Sequence, residues 1–357
     1  MDRNRAFVPL FSMHARKTHP PLTVSLLALP ETTPAILYSL YEVFLSVGVT
    51  WSELTGERSD VRRMAPRIVA ATKDPFISAI GLPVTPQATL DEVDVSDLVV
   101  VTDLVFPPGQ SPRGRWSLET AWVRDQFTNG AMVTSVCTGS LFLAEAGLLD
   151  GQPATTHWSA AETFRASYPE VELAAERTLC PAGTEHRLVT SGGAAAWEDL
   201  ALYLIARFCG EAEALHIAKI FVLGDRSEGQ LAHAAMTRPR KHSDAVIADC
   251  QSWIAQNYVE SHPVSRMIER SGLAQRTFKR RFQAATGYTP VDYVQALRIE
   301  EAKQLLETGD LSTEEVAHAV GYEDPVYFRR LFKRRTCTTP ARYRKRFQRL
   351  VRGDSPN

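Results

Sequence analysis

One thiol and two clusters of cationic side chains are the places where this sequence could do chemistry. Cys137 stands in Ser135-Val136-Cys137-Thr138-Gly139-Ser140, between an apolar run and a segment with helical spacing. A cysteine on a sharp strand-to-helix turn presents its thiol at the carboxyl edge of a sheet, as in a nucleophile elbow. The helix N-terminus would lower the thiol pKa and favour thiolate. His157, in Ala154-Thr155-Thr156-His157-Trp158, offers an imidazole as base or orienter. A buried or merely exposed thiol fits the same pattern.

The cations come in two similar groups. Arg276, Lys279 and Arg280 surround Phe278 and Phe282, and Arg329, Arg330 and Lys333 surround Phe328 and Phe332, 50 residues further on. In each group the phenylalanines are spaced i, i+4 and share one face of a helix, while the cations take the other. Each helix follows a shorter one across a turn containing Gly272 or Gly321. That is the geometry that places a helix in the DNA major groove. A basic, solvated surface gives the same charge without a ligand.

The elements that must hold these residues follow from periodicity. Thr23–Leu29 is a continuous apolar run suited to a buried parallel strand, and Arg67–Ala71, Leu98–Val101, Met132–Val136 and Leu188–Ser191 are further strands. Helical spacing predicts helices over Ile36–Val47, Trp116–Thr128, Gly139–Ala146 and Ala195–Phe208, with a Pro/Gly loop at Phe106-Pro107-Pro108-Gly109. Strands alternating with helices imply a parallel sheet covered on both faces. The rhythm stops at Arg226–Ser243, read as a linker, and an all-helical module begins at Asp244. Within it Pro290–Thr308 reads as one helix, with Tyr293, Leu297, Ala302, Leu305 and Leu306 as its buried stripe. Ser312 with Glu315 forms a capping box, Asp324 is an N-cap followed by Pro325 at N1, and Ala274 occupies an N-cap position without being able to cap.

Bulk numbers agree with two domains. The chain has 357 residues and a net charge of -1, too long for one ordinary core. From Arg240 onward there are 21 Lys and Arg against 14 Asp and Glu, a net of +7, while the remainder carries 19 against 27, a net of -8. A basic module joined to an acidic one suggests that only the former meets a polyanion. No apolar run approaches the ~20 residues of a membrane helix, and residues 1–22 read as an irregular tail rather than a signal peptide. Five cysteines at wide spacings, with no CxxC pair, indicate neither a zinc site nor a disulfide framework, and a reducing cytoplasm fits best. Trp51, Trp116, Trp122, Trp197 and Trp253 suit core or interface positions, and His186, His216, His233 and His242 lack metal-ligand spacing.

Over about 100 residues the basic module resembles the AraC/XylS family of bacterial transcription regulators. The first unit matches in Leu273-x-x-Arg276-x-Phe278-x-Arg280-x-Phe282 and Gly287-Tyr288-Thr289-Pro290-x-x-Tyr293, and the connecting helix in Arg298-x-x-x-Ala302-x-x-Leu305-Leu306. The second matches in Val316-Ala317-x-x-Val320-Gly321-Tyr322, Tyr327-Phe328-x-Arg330-x-Phe332-Lys333 and Thr339-Pro340-x-x-Tyr343-Arg344. The resemblance implies two recognition helices in successive major-groove segments. Arg276, Lys279 and Arg280, then Val326, Arg329 and Arg330, map onto base contacts. Lys333 and the tail residues Arg342, Arg344, Lys345 and Arg346 map onto phosphates.

Residues from Thr23 to Gly210 resemble the PfpI-type, class I glutamine amidotransferase-like superfamily. The matches are Val136-Cys137-Thr138-Gly139, Leu143 to Gly151, Thr155-Thr156-His157-Trp158, Thr190-Ser191-Gly192-Gly193 and Asp199 to Leu202. The fusion of the two, with Gly229-Gln230 at the linker, is the organisation of the GlxA-like subgroup of regulators. The implied fold is a flavodoxin-like α/β parallel-sheet sandwich (23–225), a linker (226–243) and an all-α double helix-turn-helix domain (244–350). The superfamily's enzymes place a carboxylate in the first strand–helix loop. Here Glu42-Val43-Phe44 is kept, but the aligned acid falls at Ile36, and Glu31 is the only other carboxylate nearby in sequence. The constellation therefore reads as degraded for hydrolysis, with Cys137 and His157 as vestigial catalytic candidates that line, with Thr138, a candidate ligand pocket. The missing acid reads as non-enzymatic and the Cys and His spacings give no metal or cofactor, so the chain is expected to be a cytoplasmic, dimeric activator whose α/β domain senses a small metabolite or mediates dimerisation. Its partners would be promoter or operator DNA, RNA polymerase and a small effector, nitrogenous or amino-acid-derived. The alternatives are a cysteine-dependent hydrolase or amidase fused to a DNA-binding module, and redox sensing by Cys137.

Overall fold

The computed structural model describes residues 20–57, 59–106, 110–224 and 242–352. The expected tail (its residues 1–19), the linker (226–241, with Gly229-Gln230) and the centre of the Pro/Gly loop (107–109) lie outside the described residues. The chain divides into two compact units, Met1–Ser227 and Glu228–Asn357.

In the first unit the elements run β1 (Leu22–Leu27), α1 (Pro34–Leu45), α2 (Thr50–Thr55), β2 (Met64–Ala70), β3 (Phe76–Ile77), β4 (Pro83–Val84), β5 (Ala88–Thr89), β6 (Leu98–Val101) and α3 (Ser117–Thr128). They continue with β7 (Met132–Val136), α4 (Gly139–Glu145), β8 (Pro153–Ala154), α5 (Ala161–Ser167), β9 (Glu172–Leu173), β10 (Leu179–Ala182), β11 (Leu188–Ser191), α6 (Trp197–Cys209) and α7 (Glu211–Phe221). Seven strands form one sheet in the order β10-β11-β7-β6-β1-β2-β5. β1 lies between β2 and β6, with Leu26 opposite both Ile68 and Val100. Strands buried on both faces read as near-continuous apolar runs, which is why these were legible. Successive side chains point to opposite faces. Leu98 and Val100 pack with Leu37 and Phe44 of α1 and Leu200 and Leu204 of α6. Val99 and Val101 pack with Val123 of α3, Phe142 of α4 and Phe164 of α5. The sheet is thus the middle of three layers.

The sheet departs from the expected all-parallel pattern at one edge. β10 runs antiparallel to β11, with Leu179 opposite Ser191, and carries Pro181, which an edge strand tolerates. Sequence periodicity gives no sign of β3, β4, β5, β8 or β9, because a strand of two residues has no period to read. The short helices α2 and α5 and the helix α7 beyond Gly210 are likewise additions to the sequence reading.

The second unit comprises α8 (Ala245–Asn257), α9 (Pro263–Ser271), α10 (Gln275–Thr286), α11 (Pro290–Thr308), α12 (Thr313–Ala319), α13 (Pro325–Thr336) and α14 (Pro340–Arg352). Two cores share α11. Tyr293 and Val294 from its first half pack with Ile254, Met267, Phe278 and Phe282. Ile299, Ala302 and Leu306 from its second half pack with Val316, Val320, Phe328 and Phe332. The expected single stripe is therefore split: Leu297 faces the first core and Leu305 the second, both half-buried. The offset of 50 residues holds in detail. Phe282 meets Tyr293 edge-on at 5.4 Å and Phe332 meets Tyr343 edge-on at 5.5 Å, while the Thr286 and Thr336 hydroxyls donate to Phe282 O and Phe332 O, each at 2.8 Å.

Candidate functional site

The recognition-helix candidates are α10 and α13. In α10, Phe278 and Phe282 are fully buried, and Arg276, Lys279 and Arg280 are exposed on the opposite face. In α13, Phe328, Leu331 and Phe332 are buried, and Val326, Arg329, Arg330 and Lys333 form an exposed stripe at i, i+3, i+4 and i+7. The sequence builds these faces by binary patterning and starts α13 firmly. The Asp324 carboxylate accepts Val326 N–H at 2.8 Å, and Ser312 and Glu315 cap α12 reciprocally. Ala274 is indeed the N-cap of α10, with no side-chain cap.

Several cations belong to the scaffold instead. Arg281 makes a two-pronged bond to Asp244 (2.9 and 2.8 Å), which holds the Asp244 carboxyl below the usual carboxylate range. Arg335 donates to Asp292 and Gln295 of α11, and buried Arg298 donates to two main-chain carbonyls. Among the base-contact candidates, Arg329 donates to Glu314 of α12 at 2.9 Å, a partner that sequence spacing did not identify. In the tail, Arg342 and Lys345 are exposed, Arg344 donates to Leu311 O, and Arg346 lies over the Phe347 ring.

Cys137 joins β7 to α4 with a φ of 57°, the left-handed conformation of a strained elbow in a residue with a Cβ. Its environment fixes that turn. Cys137 N–H donates to Ser191 O at 2.8 Å, and Cys137 O accepts from the Ser140 hydroxyl at 2.9 Å. The Thr138 hydroxyl bonds both Leu104 N–H (2.8 Å) and Leu104 O (2.7 Å). Gly139 has no room for a side chain, since a Cβ there would collide with the carbonyl oxygens of Val101 and Thr102.

The expected thiolate is overturned. The Cys137 thiol is pushed up to about 12, chiefly by burial and then by the charge of Asp103, against smaller opposing effects from Thr138. Desolvation outweighs the helix terminus because the side chain is only 7% exposed. The expectation that Glu31 is the only carboxylate near the elbow is also corrected. Asp103, just past β6 and 8% exposed, is near enough for its charge to raise the Cys137 thiol. One of its oxygens accepts from the Thr33 hydroxyl, the other is buried with no partner, and burial raises its pKa. Its signal in the sequence was its place at the carboxyl end of an apolar strand, where parallel sheets gather ligand groups. Glu31 instead lies 3.7 Å from Arg115.

His157 is half-buried, and burial lowers its pKa. Its Nδ1 lies 2.6 Å from Ser159 Oγ and accepts Ser159 N–H at 3.2 Å, capping a short turn. It is not among the groups that shift the Cys137 thiol.

Two tandem helix-turn-helix units with exposed cationic recognition helices, in one chain with an elbow-bearing α/β sandwich, define a DNA-binding transcription regulator. Comparison with known proteins agrees. Residues 267–346 match the helix-turn-helix domain family model and residues 43–207 that of the DJ-1/PfpI family. The chain is 30% identical to the HTH-type transcriptional regulator CdhR of Pseudomonas aeruginosa over 280 residues, covering 78% of this chain and 80% of that protein. It is 26% identical to the HTH-type transcriptional regulator GlxA of Rhizobium meliloti over 235 residues, or 61% and 66% of the two chains. The α/β part is also similar to the isonitrile hydratase of Pseudomonas putida, 34% identical over 136 residues, or 38% of this chain and 56% of that one. The chain belongs to the AraC family of transcription regulators, in the group with a DJ-1/PfpI-type N-terminal domain. No helix among the described residues is long and apolar enough to cross a membrane.

Proposed function

We propose that the chain is a cytoplasmic, homodimeric transcription activator whose α10 and α13 read base edges in successive major-groove segments. Arg276, Lys279 and Arg280 act in the first segment and Val326, Arg329 and Arg330 in the second. Lys333, Arg342, Arg344, Lys345 and Arg346 meet phosphates. Arginine suits guanine O6 and N7, and Val326 suits a thymine methyl. The observation that carries this reading is the pair of exposed cationic faces 50 residues apart on helices anchored by buried phenylalanines. Arg280→Ala should lose about 1–3 kcal/mol of specific binding. Mutant and wild-type footprints that coincide at equal concentration would remove its base-reading role.

The α/β domain in this reading is a non-enzymatic sensor whose ligand lies beside Cys137, Thr138 and His157 and biases dimer geometry or contact with RNA polymerase. A neutral, buried thiol favours recognition over covalent chemistry. Cys137→Ala protein should therefore still regulate its promoters in a reporter assay, at most with a weaker response to the effector. A second reading, a cysteine-dependent enzyme, draws on the strained Cys137 elbow and the likeness to an isonitrile hydratase. Steady production of an N-substituted formamide from an isonitrile by wild type, lost in Cys137→Ala, would favour it.

A further inference from the structure

Arg298 is an unusual residue for the middle of a DNA-binding domain. It lies on α11, 9% exposed, and is spent entirely inside the protein. Its Nε donates to Tyr258 O at 2.6 Å and its Nη2 to Glu260 O at 3.0 Å. Both carbonyls belong to the chain leaving α8, ahead of the first helix-turn-helix unit. The other side of the guanidinium meets the second unit, with Cζ 5.0 Å from the centroid of the Tyr322 ring in the α12–α13 turn. Gly321 makes the approach possible. Its φ is +85°, and a Cβ there would come within 2.7 Å of Val259 O and 2.9 Å of Arg298 Nη2. The turn of one reading unit therefore rests on the backbone that precedes the other, with one buried cation joining them.

A buried cation keeps its place only when its donors and its face are all occupied. Removing Arg298 leaves α11, the packing of the Gly321 turn on the Val259 backbone, and the more exposed contacts of Arg335 with Asp292 and Gln295 and of Gln295 with Tyr327, which solvent weakens. A single helix bends and twists, so the relative angle of α10 and α13 would loosen.

We propose that Arg298 is a positioning residue that sets operator spacing. It locks the phase between α10 and α13, so that the chain accepts two half-sites at one separation only. This rests on the reading that both helices contact bases. One inserted base pair moves the second half-site by about 3.4 Å along the duplex and turns it by about 34°. A locked pair of helices cannot follow that movement, and a loosened pair can.

The test starts from a duplex selected by the wild-type full chain from a random-sequence library. Affinity is then measured for that duplex, for versions with one base pair inserted or deleted between the half-sites, and for each half-site alone. Wild type should lose at least about tenfold in affinity per insertion. Arg298→Ala should bind the parent duplex more weakly, keep its half-site affinities, and lose less than about threefold on insertion. Arg298→Lys should fail to restore the spacing preference, because an ammonium cannot span both carbonyls and the ring. Tyr322→Leu, which keeps both carbonyl bonds, serves if the alanine variant does not fold. Variants that fold and retain the wild-type insertion penalty would overturn the proposal. So would failure of all three variants to fold, which would make the contact a requirement of the fold rather than of phase. A wild-type protein that selects only one half-site would instead remove the two-helix reading beneath it.

Discussion

Asp103 changes how Cys137 must be understood. A carboxylate with one unpartnered, buried oxygen beside a buried thiol makes ionisation of either group costly. Asp103→Asn should therefore lower the Cys137 pKa, although burial will keep it above that of a free thiol. Iodoacetamide alkylation of Cys137 at pH 8 should be faster in the variant, and an unchanged rate would show that the charge does not reach the sulfur. The same carboxyl has a stability consequence. Its folded pKa is raised above the unfolded value, so this one group subtracts stability as pH climbs through the carboxylate range, a contribution that Asp103→Asn lacks. Denaturant melts should find the variant the more stable protein at pH 8, with the gap closing toward pH 3. A residue-scale effect also acts at the proposed DNA face. Glu314 holds Arg329 and adds a negative charge beside it, so Glu314→Gln should tighten binding to random duplex by about twofold to fivefold at low salt, the range of an exposed pair. Titrations showing no change would mean that DNA displaces this pair at no cost.

At the scale of elements, the long and strongly patterned pieces were legible in the sequence and the short ones were not. Leu98–Val101, Met132–Val136 and Pro290–Thr308 emerge with the bounds that periodicity gives them. Their apolar runs, or their Pro at N1, mark where they begin. The antiparallel β10 and the two-residue strands are fixed by tertiary neighbours that no local pattern encodes. The site was half legible for the same reason. The elbow and both cationic faces follow from local sequence, but Asp103 reaches the thiol, and Glu314 and Asp244 reach their arginines, only through the fold. The two reading units also differ in how well they are capped. Ser312→Ala removes half of a capping box and should cost about 1 kcal/mol. Ala274→Ser supplies the missing cap on α10 and should gain a similar amount. Chemical denaturation of the two variants should move the midpoint in opposite directions. A shift in the same direction for both would mean that cap chemistry does not limit these helices.

The whole chain divides its charge as it divides its labour, with a net of +7 from Arg240 onward and -8 before it. The charge division predicts that the basic part is the one that meets DNA. The proposed base recognition by two helices of one domain predicts a bipartite operator, and the direct measurement is a footprint. A promoter fragment enriched by immunoprecipitation of the tagged protein is incubated with purified wild type, Arg280→Ala and Arg330→Ala at moderate salt, with excess random competitor. Wild type should protect two segments about one helical turn apart on one face of the duplex, and each variant should lose protection in one segment, a different one for each. Protection that random competitor abolishes, or that both substitutions leave intact, would contradict sequence-specific reading by α10 and α13.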